Sequence, residues 1–321
     1  MEEILTETKN RFVLYPIKYP EVWKMYKTAL ASFWLVEEID FSKDIDDWEK
    51  KLTENERSFI ENVLAYFSAS DGLVDENLMT RFYSEVKVPE IRAFYTVQAV
   101  METVHSETYS LMIDTFVKDS DKKTTLFNGM STISGIKKKA EWSSRWMNDL
   151  DAPFSQRLLG FAITEGIFFQ SAFASIYWLK ERGLMNGLCA SNVLISRDES
   201  LHTEFAILLY SMLNHRLEEP TVHDIIKEAV SIEIEFITES IPCSMLGMNN
   251  ELMSEYVKFV ADRLVVQLGY RKIYEASNPF PFMERMSLNN KDNFFETRSL
   301  EYSKANVGQS NVFDFSIEEE F

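Results

Sequence analysis

Apolar residues recur at helical spacing through most of this chain, while alternating runs bounded by glycine, the mark of strands, are sparse. Helix starts can be read directly. Thr53-Glu-Asn-Glu56 has the form of a capping box and predicts a helix running through RSFIENVLAYFSASDGLVDENLMTRF. Pro89 sits where the next helix should begin, Asp151 and Pro153 open another, and Pro220 breaks the chain before TVHDIIKEAVSIEIEFITESI. No linker rich in Pro, Gly or Ser divides this pattern until KANVGQSNVFDFSIEEEF, which loses helical periodicity and turns acidic. The expectation is an all-α protein, with one bundle of long helices over residues 1–300 and a flexible tail over 301–321.

Two apolar helices carry polar residues that need explaining. In METVHSETY, Glu102 and His105 stand three apart and Tyr109 seven beyond Glu102, so all three share roughly one face. The flanking Val97, Val100, Val104, Leu111 and Met112 predict that much of this helix is buried. A buried polar group without a partner costs roughly 2–7 kcal/mol, so the trio predicts partners elsewhere in the chain. The second case is LGFAITEGIFFQSAFASIYWL, Leu159 to Leu179, apolar enough to imitate a membrane span but with Glu165 inside it. A carboxylate there is expensive in lipid unless it faces protein, which favours a core helix in which Glu165 has a task.

Composition narrows the function classes. A formal charge of -18 in 321 residues argues against nucleic acid or an anionic membrane as the main partner. The two cysteines, Cys189 and Cys243, form no CxxC pair, which suits a reducing cytoplasm, simple core thiols and a chemistry other than thiol catalysis. MEEILTETKNRF lacks the apolar segment of a secretion signal, so a cytoplasmic location is expected.

The partners of Glu102 and His105 appear in a second Glu-x-x-His, Glu199 and His202 in ISRDESLHTEF, so two of four histidines share the motif. His215 and His223 do not share it and are expected to pack or sit at the surface. Each motif follows a helix with a carboxylate in an apolar setting, Asp71 in one case and Glu165 in the other, at separations of 31 and 34 residues. Such separations suit two antiparallel helices joined by a short turn. Four carboxylates and two imidazoles meeting inside a four-helix bundle form the di-iron or di-manganese site of ferritin-like folds. Oxygen-rich donors without thiolate weigh against structural zinc. Acids scattered on amphipathic surfaces would account neither for the repeat nor for the setting of Glu165.

With these residues in view, the chain resembles the small subunit of class I ribonucleotide reductase, particularly of the eukaryotic and poxviral type. The resemblance runs through ASFWLVEEIDFSKDIDDWEK, SASDGLVDENL, VHSETYSLMIDT, EGIFFQSAFASIYWLKERGLM, SNVLISRDESLHTEFA and the acidic tail. It implies a ferritin-like helical bundle, a homodimer, and work with a separate large subunit that reduces ribonucleotides. It also implies two Fe ions per chain, one held by Asp71, Glu102 and His105 and the other by Glu165, Glu199 and His202, with some carboxylates bridging.

Further roles follow from the same resemblance. Tyr109 matches the residue that the family oxidises to a stable radical, and its position one turn beyond His105 agrees. Phe169, Phe173 and Ile195 match the apolar pocket around that radical. Asp198, pointing about 100° from Glu199 on the helix, matches the aspartate linking His105 to Trp34, on a path of proton-coupled electron transfer that continues through Tyr302. FSIEEEF, at the end of the tail, matches the segment that docks on the large subunit. The chain begins with little N-terminal extension, so the degradation signals that such extensions can carry are not expected. Two other classes compete: a di-iron desaturase or hydroxylase, and an iron-storage protein. Tyr109, Trp34 and Tyr302 together speak against both.

Overall fold

A computed structural model of the chain describes residues 2–7, 12–149, 151–240 and 249–283. Its helices, in order, are α1 (Pro20–Ala31), α2 (Ser42–Lys50), α3 (Glu54–Asn77), α4 (Tyr83–Glu85), α5 (Pro89–Phe116), α6 (Ser120–Phe127), α7 (Gly129–Thr132), α8 (Ser134–Asn148), α9 (Phe154–Ile163), α10 (Gln170–Glu181), α11 (Asn186–Ser211), α12 (Glu219–Ser240) and α13 (Asn250–Gln267). There is no strand among the described residues, as the apolar spacing predicts. The expected boundary at residue 300, the tail after it, Tyr302 and Cys243 lie outside the described residues.

The starts of the helices follow the predicted chemistry. Thr53 Oγ1 accepts from the Glu56 amide at 3.3 Å while Glu56 Oε2 accepts from the Thr53 amide at 2.8 Å, the reciprocal pair of a capping box. Pro89 is the first residue of α5, where its missing N–H costs nothing. Pro153 immediately precedes α9, and Pro220 falls in the first turn of α12.

The bundle's centre is made by α3, α5, α11 and the α9–α10 run. α3 lies along α5, α11 lies along α9 and α10, and α11 touches α5 to join the two pairs. The start of α11 is held from outside by α2. Asp47 Oδ2 accepts from the Met185 amide at 2.9 Å, and Asp44 accepts from the amides of Gly187 and Leu188 at 2.9 and 2.7 Å. Anions at a helix N-terminus satisfy amides that have no intrahelical partner. Gly187 permits this approach, because a Cβ there would lie 2.6 Å from the Asp40 carbonyl oxygen. The position of α11 along its axis is thereby set.

Two departures from regular helix interrupt the pattern. Leu78–Phe82 and Thr164–Phe168 are π turns, and the second carries Glu165. A π turn widens a helix locally and occurs often at functional sites. Gly166 lets this wider turn sit close to α11, since a Cβ would come within 2.9 Å of Thr203 Cγ2. The run Phe154–Glu181 is long and apolar enough to cross a membrane, yet its most apolar window is wholly buried inside the protein.

One expectation on α5 is corrected. Val97, Val104 and Met112 are buried, but Val100 and Leu111 are 46% and 41% exposed. They lie with Thr103 and Glu107 on the face turned away from Glu102, because three- and four-residue steps keep to one side of a helix. Apolar identity alone does not decide which side that is.

Candidate metal centre

The bundle brings six sequence-predicted donors together. Asp71 comes from α3, Glu102 and His105 from α5, Glu165 from the π turn, and Glu199 and His202 from α11, and none is more than 2% exposed. They fall into two groups, Asp71 with Glu102 and His105, and Glu102 with Glu165, Glu199 and His202. Within each group, one ligand atom per residue lies within 4.8 Å of every other. Glu102 belongs to both, so it stands where a bridging carboxylate would. His215 and His223 are elsewhere, the first bonded to Glu2 and the second to the Arg271 carbonyl.

The donors face one another more than they satisfy one another. His202 Nδ1 lies 3.0 Å from Glu102 Oε1 and 3.1 Å from Glu199 Oε2. His105 Nδ1 lies 2.9 Å from Glu199 Oε1, yet neither of these atoms makes a well-aligned hydrogen bond. Asp71 Oδ2, Glu102 Oε2 and both carboxylate oxygens of Glu165 are likewise buried without a hydrogen bond of good geometry. Buried polar atoms are nearly always paired. An array of orphaned ligand atoms, four carboxylates and two imidazoles with no thiolate, fits two hard or borderline divalent cations. The donor set fits a di-metal site.

Burial and mutual proximity shift the protonation equilibria of these groups. Burial, reinforced by Glu102 and Glu199, pushes the Asp71 carboxyl well above its usual range, and burial with the same two acids does so for Glu165. For His202, burial works downward, but the charges of Glu102 and Glu199 overcome it and raise the imidazole to about 10. For His105 too burial works downward, but the nearby acids Asp198, Glu102 and Glu199 outweigh it and raise the imidazole well above normal. Glu199 moves the other way despite burial, held ionised by its hydrogen bonds and by His202.

Tyr109 sits beside the cluster, 2% exposed, with its hydroxyl in no hydrogen bond of good geometry. Burial, then the charges of Asp71, Glu199 and Glu102, raise its phenol well above normal. The ring stacked on it belongs to a residue that sequence reasoning missed. Phe67 lies 4.6 Å away, centre to centre, with planes 17° apart. Phe173 and Phe169 pack on Phe67 at 5.0 and 5.6 Å, centre to centre. Ile195 is buried on α11, one turn before Glu199. The signal for Phe67 was its position four residues before Asp71. Gln98 was missed in the same way, four residues before Glu102, to which its Nε2 donates at 3.4 Å.

On the far side of His105, Asp198 Oδ2 accepts the Trp34 indole N–H at 2.7 Å and lies 3.2 Å from His105 Nε2. Its other oxygen accepts from Arg197 Nη2 at 2.8 Å, and the same guanidinium nitrogen reaches the Ser32 carbonyl at 2.8 Å. Arg197 is a further residue the sequence reading did not single out. Arg197, His105 and Trp34 hold the Asp198 carboxyl below its ordinary value in spite of burial. Carboxylates so placed orient metal-binding histidines.

Comparison with known proteins agrees with this geometry. Residues 11–279 match the family model "Ribonucleotide reductase, small chain". The chain is 58% identical over 307 residues to the ribonucleoside-diphosphate reductase small subunit of Dictyostelium discoideum, covering 96% of this chain and 90% of that one. It is 54% identical to the small chain of vaccinia virus strain Ankara over the full length of both. Among solved structures, the ribonucleotide reductase Rnr4 homodimer from Saccharomyces cerevisiae superposes with a TM-score of 0.82 at 38% identity, covering 91% of this chain and 92% of the other.

Proposed function

This chain belongs to the ribonucleotide reductase small-chain family, and we propose that its di-metal centre holds two irons and that Tyr109 retains the oxidising equivalent made there. The observation that carries the reading is the juxtaposition of the orphaned ligand cluster with a buried phenol on the adjoining turn of α5. As a member of this family the chain is an enzyme subunit, the small subunit of ribonucleoside-diphosphate reductase.

When bound, the metal pair supplies a one-electron oxidising equivalent from dioxygen. Asp71, Glu102, His105, Glu165, Glu199 and His202 would hold it. Tyr109 gives up one electron and its phenolic proton. Asp71, the charged neighbour acting most strongly on that phenol, is the group we assign to take the proton. Phe67, Phe169, Phe173 and Ile195 keep water and reductants from the ring, since an apolar wall offers neither hydrogen bonds nor space for solvent. His105, Asp198 and Trp34 make a continuous hydrogen-bonded path away from the centre, supporting proton-coupled electron transfer toward the large subunit. We assign Tyr302 to its continuation and residues 301–321 to docking on the large subunit; both lie outside the described residues.

Homodimerisation is part of the same proposal, supported by the homodimeric yeast relative and by the exposed Val100 and Leu111 on one face of α5. A cytoplasmic location is proposed from the sparse cysteines. The reading is tested by adding Fe(II) and oxygen to metal-free protein and measuring metal content and paramagnetic resonance. Two irons per chain and a tyrosyl signal are expected. Iron uptake without any radical would overturn the Tyr109 assignment.

A further inference from the structure

One face of α8 runs alongside the segment that carries Glu165. Trp146, Ser143 and Lys139 occupy successive turns of that face, because steps of three and four residues keep to one side of a helix. Opposite them stand Gly160, Thr164 and Phe168, spaced by four residues each. At Gly160 the two helices nearly touch, since a Cβ there would lie 2.8 Å from Trp146 Cβ. The Thr164 hydroxyl donates to the Gly160 carbonyl at 3.1 Å, which leaves its oxygen to accept from Ser143 Oγ at 2.9 Å. Lys139 Nζ donates to the Phe168 carbonyl at 2.8 Å. Thr164 and Phe168 are the first and last residues of the π turn, so α8 grips that turn at both ends.

The grip lies inside the protein. Lys139, Ser143 and Thr164 are 1%, 2% and 2% exposed. A buried ammonium is costly unless its charge and its protons are met. Glu233 Oε2 of α12 lies 2.7 Å from Lys139 Nζ, and the centre of the Tyr66 ring of α3 lies 3.5 Å from it. Glu233 also accepts from Ser171, three residues past Phe168. The ammonium is therefore held by α3 and α12 as well as by its own helix, which makes it an anchor for the turn.

We propose that Lys139 and Ser143 are positioning residues that fix the π turn from outside and thereby set where Glu165 stands among the metal donors. The proposal rests on the reading of the six donors as a metal centre. A π turn departs from the regular helical ladder, so contacts made from outside weigh more in setting its place. Glu165 directly follows Thr164, and no hydrogen bond of good geometry anchors either oxygen of its carboxylate. Its place is therefore the place of its backbone. Glu165 groups with Glu102, Glu199 and His202, whereas the other group is Asp71, Glu102 and His105. Releasing the turn should weaken one metal site and spare the other.

Titration of metal-free, full-length protein with Mn(II), with the unbound ion read by paramagnetic resonance, tests this. Wild type is expected to take up two ions per chain. Ser143→Ala and Lys139→Met are each expected to weaken one of the two binding steps by about 10- to 100-fold, the usual loss when an outer partner of a metal ligand is removed. Glu165→Ala should weaken the same step. In that background Ser143→Ala should add nothing further, because both changes act through one carboxylate. A purely structural pair would lower Tm with both steps unchanged, or weaken both alike, and any effect on metal would persist in Glu165→Ala; each of these results overturns the proposal. Ser143→Ala removes a single hydroxyl and decides the matter if Lys139→Met fails to fold. Failure of wild type itself to bind two ions would defeat the reading of the metal centre, so the two failures are distinguishable.

Discussion

Trp34 and His105 meet on one oxygen: Asp198 Oδ2 accepts the indole N–H at 2.7 Å and lies 3.2 Å from His105 Nε2. The two rings are 6.0 Å apart and within 24° of parallel. A single carboxylate therefore orients a proposed metal ligand and the Trp34 indole together. Asp198→Ala is expected to reduce turnover with the large subunit by about 10- to 100-fold, the usual cost of losing an outer carboxylate partner. The Tyr109 radical should still form. Turnover and radical yield measured on the same preparation check this; equal loss of both would place Asp198 in assembly of the centre instead of transfer from it.

Metal loading should release protons. His202, raised to about 10, carries a proton at pH 7 that it must lose to bind a metal, and His105, Asp71 and Glu165 are shifted in the same direction. Raising the pH toward 10 removes that competition, so metal affinity should increase with pH. Calorimetry in buffers of different ionisation enthalpy measures the protons released. Binding without net release would contradict the protonation described for the cluster.

The Lys139–Glu233 pair should leave a mark on stability. Burial lowers Lys139 to about 8 from 10.5, against the pull of Glu233. Between those values the unfolded chain binds more protons than the folded one, so this lysine's stabilising contribution is complete above 10.5 and is lost as the pH falls through about 8. Wild type should gain on Lys139→Met by up to about 3 kcal/mol across that window. Denaturant midpoints at a series of pH values read the difference, and a constant gap would refute it.

Deleting residues 315–321 should abolish reductase activity with the large subunit while leaving radical formation intact. Activity assays and resonance spectra on the truncated chain separate the two. Loss of the radical as well would mean that the tail supports the fold.

Much of the centre was legible because ligand chemistry constrains sequence tightly. A doubled Glu-x-x-His can share one site only on facing helices, and a carboxylate in a run as apolar as that around Glu165 needs a partner. The capping box at Thr53 and the proline at the start of α5 were readable because each satisfies a local backbone requirement. Other features depend on three-dimensional placement. The π turn at Glu165 is a slip in backbone hydrogen bonding with no compositional signature. Phe67 looks like any core aromatic until its ring is found against Tyr109. Lys139 stands in GIKKKAEW, which reads as a solvated charge run, and only the packing of α8 against α3 and α12 turns it inward. Val100 and Leu111 erred in the opposite sense, being apolar yet exposed.

The central claim is that Tyr109 stores the oxidising equivalent of the metal centre. Its most direct test compares wild type and Tyr109→Phe after loading with Fe(II) and oxygen, by paramagnetic resonance with metal content measured in parallel. The expected result is a tyrosyl signal in wild type, absent from Tyr109→Phe at equal iron occupancy. An undiminished signal of the same line shape in Tyr109→Phe would contradict the account.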